Sequence, residues 1–438
     1  MARIVTLLNT QVLLYINTVP DYLLTEDGVQ ITDEDLIPIV VTGGEEWILD
    51  GSALNELDTG GVLDGDVAVD ISDYLRPDSS VSIVRGRSDQ FAEFDVGVAT
   101  IQLEDVDRRF DSTHPASPFF GQLTAGKRVD VLVNGVTLFS GAVRTWRSTY
   151  RQNASVAVTL VAEDALAILG RRKFTAWTST AAATPRERIL EVLARNEVTY
   201  TGAVDLDPGL SPLQSDSVTA GSSVLNYLQL VVKSDFGRLF ASRVNALTFE
   251  DRLAVAGGAV AFTLDENGAG VDIEGVTRSD DAKGFFTRVS VDRVGGVRQT
   301  SVNAQAEIDY DGARAMAITG LLLTSDDDSL YMADYLVAVL SVPEQRIESA
   351  NVNVMHVPGA MLPAVLAADM AQTVRFVWTP LNVGTAIDVN LIVERVEHQI
   401  SAYDHVMSLG FSTTVNRSPW TLEDVILGSL DTGGVLSF

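Results

Sequence analysis

Residues 129–143 read Val129-Asp-Val-Leu-Val-Asn-Gly-Val-Thr-Leu-Phe-Ser-Gly-Ala-Val143. Short runs rich in β-branched residues stand on either side of Asn134-Gly135, a dipeptide typical of two-residue hairpin turns. The stretch therefore predicts two antiparallel strands joined by a tight turn. Similar runs with a period of two occur from about residue 66 to 170, at 98–103 and 155–161. Several short strands at this spacing indicate a barrel or a sandwich, followed by a short helix over 163–169.

The next segment has helical signals. Thr184-Pro185-Arg186-Glu187 combines an N-cap, a proline in the first helical position and a capping-box glutamate. A second helix is predicted over 222–233, because its apolar residues recur at helical spacing. Two strands around Asn245 follow. Two helices and a hairpin indicate a compact α+β insertion.

The last third of the chain returns to strands. One is predicted over 287–294, and a helix begins at Ser325 and ends before Pro343. Acidic residues in the first turn of that helix suit its dipole. The later strands suggest a second β unit around the helix, and they are predicted over 346–357, 374–378, 386–398 and 405–413.

Composition limits the possible functions. The 438 residues include 59 acidic and 31 basic side chains, a formal net charge of −28. This balance argues against a nucleic-acid or anionic-membrane surface, since both require clustered Lys and Arg. There are no cysteines and only four histidines, so thiolate metal sites are excluded. The amino terminus predicts one or two strands and not a signal peptide, and no stretch predicts a membrane span.

One short element occurs twice. Residues 57–63, Leu-Asp-Thr-Gly-Gly-Val-Leu, recur letter for letter at 430–436, and a tryptophan precedes each copy by ten positions. The repeat predicts two equivalent docking elements, since buried aromatic anchors often dominate such contacts. The candidate anchors are Trp47, Leu57, Leu63, Trp420, Leu430 and Leu436.

The repeat also contains Asp-Thr-Gly, the catalytic tripeptide of aspartic proteases. That chemistry needs two carboxylates sharing a proton, each on a loop held by apolar strands. Gly61 stands where the protease pattern has Ser or Ala, and only five residues follow Gly433. A glycine turn is therefore favoured over an active site. The predicted turn residues are Asp58, Gly60, Asp431 and Gly433.

Other acidic and histidine clusters have ordinary interpretations. Asp105, Asp107 and Asp111 resemble a calcium loop, but the glycine and closing glutamate of an EF-hand are missing, so a turn with Asp–Arg pairs is favoured. Residues 280–281 and 326–328 suit a solvated loop and a helix cap. His398 and His405 could converge, but ordinary strand positions are favoured. We therefore predict no catalytic, cofactor-binding or metal-binding residues.

Three consecutive segments resemble a known family. They read Arg85-Gly-Arg-Ser-Asp-Gln-Phe91, then Gly97 to Arg108-Arg-Phe-Asp111, then Ser117-Pro-Phe-Phe-Gly-Gln-Leu-Thr-Ala-Gly-Lys-Arg-Val129. They are similar to the first barrel of minor tail proteins of long-tailed bacteriophages, the baseplate hub or tail-associated protein. Residues 221–252 resemble the insertion of that family, and 393–411 resemble its closing hairpin.

The resemblance implies a mainly β fold with an α+β insertion and two tube-like β-barrel domains carrying helical insertions. The expected division is an N-terminal strand segment with the first Trp element (1–65), a first barrel (66–175), the α+β insertion (176–260), a second barrel with an inserted helix at about 325–342 (261–415) and the C-terminal Trp element (416–438).

In that family, two pseudo-equivalent barrels per subunit let a trimer match a hexameric tail tube. The resemblance implies a non-enzymatic homotrimer at the tail tip of the virion, without cofactors. The expected partners are the distal tail ring, the tail tube end, the tape measure and further minor tail proteins or fibres, with DNA present only in passage during genome ejection. The alternatives are a distal tail ring or a receptor-facing minor tail protein and, remotely, a hydrolase using the Asp-Thr-Gly repeats.

Overall fold

The computed structural model is mainly β, with 43% strand and 18% helix. It describes residues 8–16, 21–22, 40–41, 67–77, 81–105, 107–150, 156–254, 258–266, 270–279, 284–341 and 346–413. The ten residues predicted as anchors or turns of the Trp elements lie outside these ranges, as does the acidic pair at 280–281. In the described part, no helix has the length and apolar character needed to cross a bilayer.

The strands are, in chain order, β1 Thr10–Ile16, β2 Asp21–Tyr22, β3 Val40–Val41, β4 Val67–Asp70, β5 Val81–Gly86, β6 Asp95–Asp105, β7 Arg128–Val133, β8 Val136–Thr149, β9 Val156–Glu163, β10 Trp177–Thr178, β11 Val204–Leu206, β12 Ser217–Val218, β13 Arg238–Ala241, β14 Leu247–Glu250, β15 Val260–Asp265, β16 Gly275–Ser279, β17 Arg288–Arg293, β18 Gln299–Val302, β19 Ala315–Leu321, β20 Arg346–Asn353, β21 Thr373–Trp378, β22 Ile387–Ile400 and β23 His405–Thr413. The α-helices are α1 Ala165–Arg171, α2 Pro185–Leu193, α3 Val224–Lys233, α4 Ala304–Asp309, α5 Asp326–Leu340 and α6 Leu362–Leu366.

A 13-stranded sheet contains most of the long strands. We call β1 and β4–β9 the first β region, and β15, β16 and β20–β23 the second β region. The hydrogen-bonded order is β16-β20-β23-β22-β5-β6-β9-β8-β7-β1-β4, with β21 and β15 attached beside β22. The two regions therefore share one sheet, joined where β22 pairs with β5.

The two β regions repeat one topology. Along the chain, β1, β5, β6, β7, β8 and β9 correspond to β15, β16, β20, β21, β22 and β23. In the sheet, the order β5-β6-β9-β8-β7-β1 corresponds to β16-β20-β23-β22-β21-β15. One pair differs in direction, since β1 runs antiparallel to β7 whereas β15 runs parallel to β21. The repeat makes β8 and β22, both 14 residues long, equivalent strands.

The hairpin predicted over 129–143 is confirmed. Asn134 and Gly135 take φ angles of 49° and 77°, the left-handed region that a tight turn between twisted strands requires. Val129, Val131 and Val133 of β7 are fully buried. In β6, alternate residues such as Ile101 and Leu103 are also fully buried, so the period of two places one face of the first β region in the core.

The helices of the insertion begin where the sequence predicts. Thr184 caps α2 by accepting from the Glu187 N–H, and the Glu187 carboxylate accepts from the Thr184 N–H in return. The two predicted strands around Asn245 are β13 and β14, and β11 joins β14 in parallel. Helix α3 packs against α1 and α2. The predicted α+β character of this segment is confirmed.

In the described residues, helix α5 packs mainly against β17 and β18 and not against the strands of the second β region. Strands β18, β17 and β19 form a separate three-stranded sheet. Together with α5 this sheet encloses its own apolar cluster, in which Val289, Val291 and Leu336 are fully buried. The interpretation that strands of the second β unit surround α5 is confirmed only in part: β17, the strand predicted over 287–294, packs against the helix, but it belongs to the small sheet and not to the large one.

The hydrogen-bonded ladders between the named strands form an open sheet. They therefore do not establish the two predicted barrels. Two isolated bridges lie beside these ladders. Leu75, just after β4, pairs antiparallel with Leu103 of β6, and Leu264 of β15 pairs in parallel with Val271, just before β16. The predicted strand over 346–357 is shorter than expected, because Asn353 accepts from the Met355 N–H and starts a helical turn.

Candidate functional site: a buried charge network between the two β regions

The junction of the two β regions lies on a single edge of β22. The first half of that edge pairs with β21 over Ile387–Ile392, and the second half pairs with β5 over Arg395–Ile400. Strand β23 occupies the opposite edge along most of this length. Between the two halves the ladder with β23 shifts by one residue, and Glu394 lies at this β-bulge. Bulges of this kind redirect a side chain out of the regular alternation.

Glu394 is 2% exposed and accepts three hydrogen bonds at the junction. Arg87 Nε donates to its Oε2 at 2.7 Å, Ser412 Oγ donates to its Oε1 at 2.6 Å, and Arg238 Nη2 lies 3.3 Å from the same oxygen. Burial alone would raise the pKa of this carboxyl, but the Arg238 and Arg87 guanidinium groups and the Ser412 hydroxyl lower it below its ordinary value. The carboxylate therefore stays ionised and connects both β regions to β13 of the insertion.

Gly86 permits the close approach of β5 to β22. It has φ +114°, and a Cβ there would collide with the Glu394 carbonyl oxygen. That carbonyl accepts from the Arg87 N–H at 2.9 Å. Only glycine fits this conformation and this contact. The Arg-Gly-Arg sequence at 85–87 thus places two arginines at the junction with a glycine between them.

Arg85 extends the network on the other side. It is 2% exposed, and its Nη1 donates to Asp369 Oδ1 at 2.7 Å, across 284 residues of sequence. Asp369 Oδ2 also accepts from the Arg243 N–H at 2.7 Å, so one carboxylate contacts both β5 and the insertion. Within the described residues, the Nε and Nη2 atoms of Arg85 have no hydrogen-bond partner.

Asp164 lies near this arginine. It caps α1 through the Leu166 N–H and accepts from the Gly97 N–H at 2.7 Å. Burial raises the pKa of Asp164 to about 7, although the two N–H donors and the Arg85 charge oppose that shift.

His398 and His405 converge in the same interior. The His398 Nδ1 and His405 Nε2 atoms lie 3.0 Å apart, and both residues are at most 1% exposed. Burial lowers the pKa of both imidazoles, that of His405 to about 4, and the His405 and Arg85 charges lower that of His398 further. Both histidines lie on strands, as expected. The contact between their rings, which the β22–β23 hairpin produces, was not expected.

The histidine pair does not form a catalytic triad with the acid between them. Asp404 points elsewhere, accepting from Asn353 Nδ2 at 3.0 Å. The acidic loop after β6 also has a structural role, as predicted: Arg108 Nη2 donates to Asp111 Oδ2 at 2.6 Å, and Arg109 contacts Asp107. In the described part of the chain, no three His, Asp or Glu side chains are grouped so as to hold a metal ion.

Comparison with known proteins supports the interpretation of the fold. No family model and no curated protein matches the sequence. Among solved structures, the 43 kDa tail protein of prophage MuSo2 from Shewanella oneidensis aligns with a TM-score of 0.54 at 12% identity, over 77% of this chain and 95% of the other. A tail protein from Neisseria meningitidis MC58 aligns with a TM-score of 0.53 at 12% identity, over 77% and 93%.

The chain has the fold of phage tail proteins. The resemblance first seen in residues 85–129 is thereby confirmed for the fold. Two of those residues, Arg85 and Arg87, form ion pairs in the junction of this tail-protein fold. Their partners Asp369 and Glu394 carry no local sequence signal, because each lies some 300 residues away along the chain. The predicted anchors of the Trp elements remain predictions.

Proposed function

We propose that this chain is a structural component of a phage tail tip, a hub that adapts the end of the tail tube. The observation that carries the proposal is the repeated topology of the two β regions within a tail-protein fold. Two equivalent units per chain, taken three times around an axis, give six units. A trimer of such chains matches a hexameric tube without a change of fold.

Each β region is proposed to be one barrel of this ring, over 66–175 and 261–415, with the insertion at 176–260 between them. The bridges beside the large sheet support this arrangement. Leu75 pairs with Leu103, and the Arg76 N–H donates to the Gln102 carbonyl at 3.0 Å, which returns the first β region to β6. In the second region, the Asp265 N–H donates to the Val271 carbonyl at 2.9 Å.

The role is proposed to be mechanical and not enzymatic. Its partners would be the tail tube end, the distal tail ring, the tape measure and further minor tail proteins, with DNA only passing through the bore. A trimer would carry three times the net charge of −28. An acidic bore would repel phosphate and keep DNA from adhering. Reversing the charge of bore residues should slow genome ejection, and unchanged ejection would refute the electrostatic part of the proposal.

The terminal Trp elements are proposed to dock on equivalent surfaces of neighbouring barrels or subunits, through Trp47 and Trp420. Deleting residues 417–438 should weaken assembly while leaving the far-ultraviolet circular dichroism spectrum of the barrels intact. If assembly is unaffected, the elements do not hold the ring together.

Native mass spectrometry of the purified chain tests the hub proposal. A species of three times 47.1 kDa is expected. A monomer, together with antibody labelling of intact particles away from the tail tip, would overturn it. A ring at the tail tip with six copies per particle would favour the distal tail ring instead.

A further inference from the structure

The outer half of β8 has an exposed edge. Strand β9 pairs with β8 as far as Thr149, but β7 on the opposite edge pairs only as far as Ala142. Among the described residues, no strand pairs with 144–149 on the β7 side. Arg144, Thr145 and the last three residues of β8 are exposed. Free strand edges are templates for pairing with another chain.

The equivalent edge of β22 is occupied. Both strands have a bulge at the same place, between Val143 and Thr145 in β8 and between Val393 and Arg395 in β22. Beyond its bulge, β22 pairs with β5 of the first β region. Residues Val396, His398 and Ile400 of β22 are buried. Of the matching residues, Ser148 and Tyr150 are exposed, whereas Trp146 is half-buried and stacks on Phe110.

Strand β16 is the equivalent of β5, and it also has an open side. In the described residues β16 pairs with β20 alone, as β5 pairs with β6. The other side of β5 is covered by β22, so Ile83 and Arg85 are buried, whereas Thr277 and Arg278 of β16 are exposed. Among the described strands, two edges without a partner strand thus correspond to the two strands that pair at the internal junction.

The internal β22–β5 junction and the equivalent positions of β8 and β16 carry charges of opposite order. At the internal junction the bulge residue is Glu394, and Arg87 follows β5. At the exposed edge the bulge residue is Arg144, and the sequence after β16 continues with two aspartates. Arg144 keeps 61% of its side chain exposed while its Nη1 donates to Glu163 Oε1 at 2.8 Å. The basic bulge of β8 and the two aspartates that follow β16 in the sequence favour contact between unlike ends of two copies.

We propose that the edge of β8 at 144–149 pairs antiparallel with β16 of a second copy of this chain. The interface rests on the proposed hub function, and it repeats the internal β22–β5 junction between subunits. It is heterologous, so each copy uses β8 on one side and β16 on the other, as a closed ring requires. The large sheet would then continue from subunit to subunit around the ring.

The internal junction fixes the register of this pairing. Thr149 corresponds to Gln399, because both lie five residues beyond their bulges. Thr277 of β16 pairs with Ser349 of β20, and Ser82 of β5 pairs with Thr100 of β6. Because Ser349 and Thr100 occupy matching positions in β20 and β6, Thr277 corresponds to Ser82. Gln399 pairs with Ser82 in the chain, and its Nε2 donates to the Ser82 hydroxyl at 2.7 Å. Thr149 is therefore expected opposite Thr277 of the neighbour.

Cross-linking tests the register directly, because the chain has no cysteine of its own. The full-length double variant Thr149→Cys/Thr277→Cys is oxidised and separated without reductant. Directly opposite residues place their Cβ atoms about 4.5–5.5 Å apart, within reach of a disulfide after a small shift. Products of two and three times the monomer mass are expected, and each single variant should give none.

Two matched variants control the experiment. Ser82→Cys/Gln399→Cys tests the same pairing inside one subunit and should give an oxidised monomer without larger products. Ser148→Cys/Thr277→Cys moves one thiol to the opposite face of β8, so linkage should fall at least tenfold. A native trimer that does not link through 149 and 277 would overturn the interface and leave the hub proposal standing. A monomer that fails to link at high concentration would overturn the interface too, and particle labelling would then decide the hub role separately.

Discussion

Arg144 and Glu394 occupy the same position in two copies of one hairpin, each at the bulge of a 14-residue strand. Their charges are opposite and so are their surroundings. Glu394 is buried between two arginines, whereas Arg144 lies largely in solvent. One repeated topology therefore provides both an internal junction whose two strands are paired and an equivalent edge that has no partner strand among the described residues.

Substituting Glu394→Gln should reduce the free energy of unfolding by about 3 kcal/mol, because removing one member of a buried ion pair leaves the other charge uncompensated. Arg87 and Arg238 would both lose their carboxylate. Urea unfolding at pH 7 measures the change. The control Arg375→Gln breaks an exposed pair with Asp388 and should cost much less, because solvent screens that pair. Equal costs for both variants would contradict a central role for Glu394.

Substituting Gly86→Ala should destabilise the chain more than the same change at Gly135. Both glycines have positive φ, so both variants incur the left-handed penalty of about 1 kcal/mol. At Gly86 the new methyl group would also collide with the Glu394 carbonyl, whereas at Gly135 no atom lies within 4 Å of a new Cβ. Thermal unfolding of the two variants makes the comparison. A Gly135→Ala variant as unstable as Gly86→Ala would show that the close approach costs nothing.

The histidine pair predicts acid sensitivity. Unfolded imidazoles take up protons near pH 6.5, but burial lowers the folded pKa of His405 to about 4 and lowers that of His398 as well. Between those pH values the unfolded chain binds more protons, so stability should fall as the pH decreases, by up to about 1.4 kcal/mol per pH unit for each group. The variant His405→Gln should show a shallower decline from pH 6.5 to 4 in urea unfolding. Parallel curves for variant and parent would refute this.

The buried carboxyl group of Glu250 is expected to make stability fall as the pH rises, opposite to the effect of the histidine pair. Burial raises the pKa of its carboxyl to about 7, with Arg238 opposing and nearby acids adding to the shift. The folded state therefore holds a proton that the unfolded state has lost, and stability declines as the pH rises from 4.5 through 7. Glu250→Gln removes this loss, so the variant should gain stability relative to the parent between pH 5 and 9. A constant difference across that range would show that the folded pKa of Glu250 is not raised above its unfolded value.

How far the sequence predicts the fold depends on how local each signal is. The turn at Asn134, the capping box at Thr184 and the helix start at Ser325 are predictable because all of their atoms lie within a few residues. The separate small sheet against which α5 packs is not predicted, because β18 and β19, which are partly exposed, have too weak a sequence pattern.

Most side-chain contacts of the candidate site could not be predicted from the sequence. Arg85 was recognised as part of a family motif, but its partner Asp369 is one of 59 acidic residues and nothing local distinguishes it. His398 and His405 were singled out by their spacing, yet their contact depends on the register of the β22–β23 hairpin, in which His405 pairs with Ile400. A one-residue change of register would turn the two rings to opposite faces.

Arg144 and Arg171 allow the open surface to be tested without disturbing the core. Both contact the Glu163 carboxylate and both are more than half exposed, but only Arg144 lies on the free edge of β8, since Arg171 ends α1. Arg144→Glu should raise the dissociation constant of the assembly at least tenfold, because a carboxylate would replace the basic group at the proposed interface. Arg171→Glu loses a similar ion pair and should associate as the parent does. Sedimentation velocity over a range of concentrations measures both, and equal weakening would mean that the Glu163 pairs, and not the β8 edge, govern association.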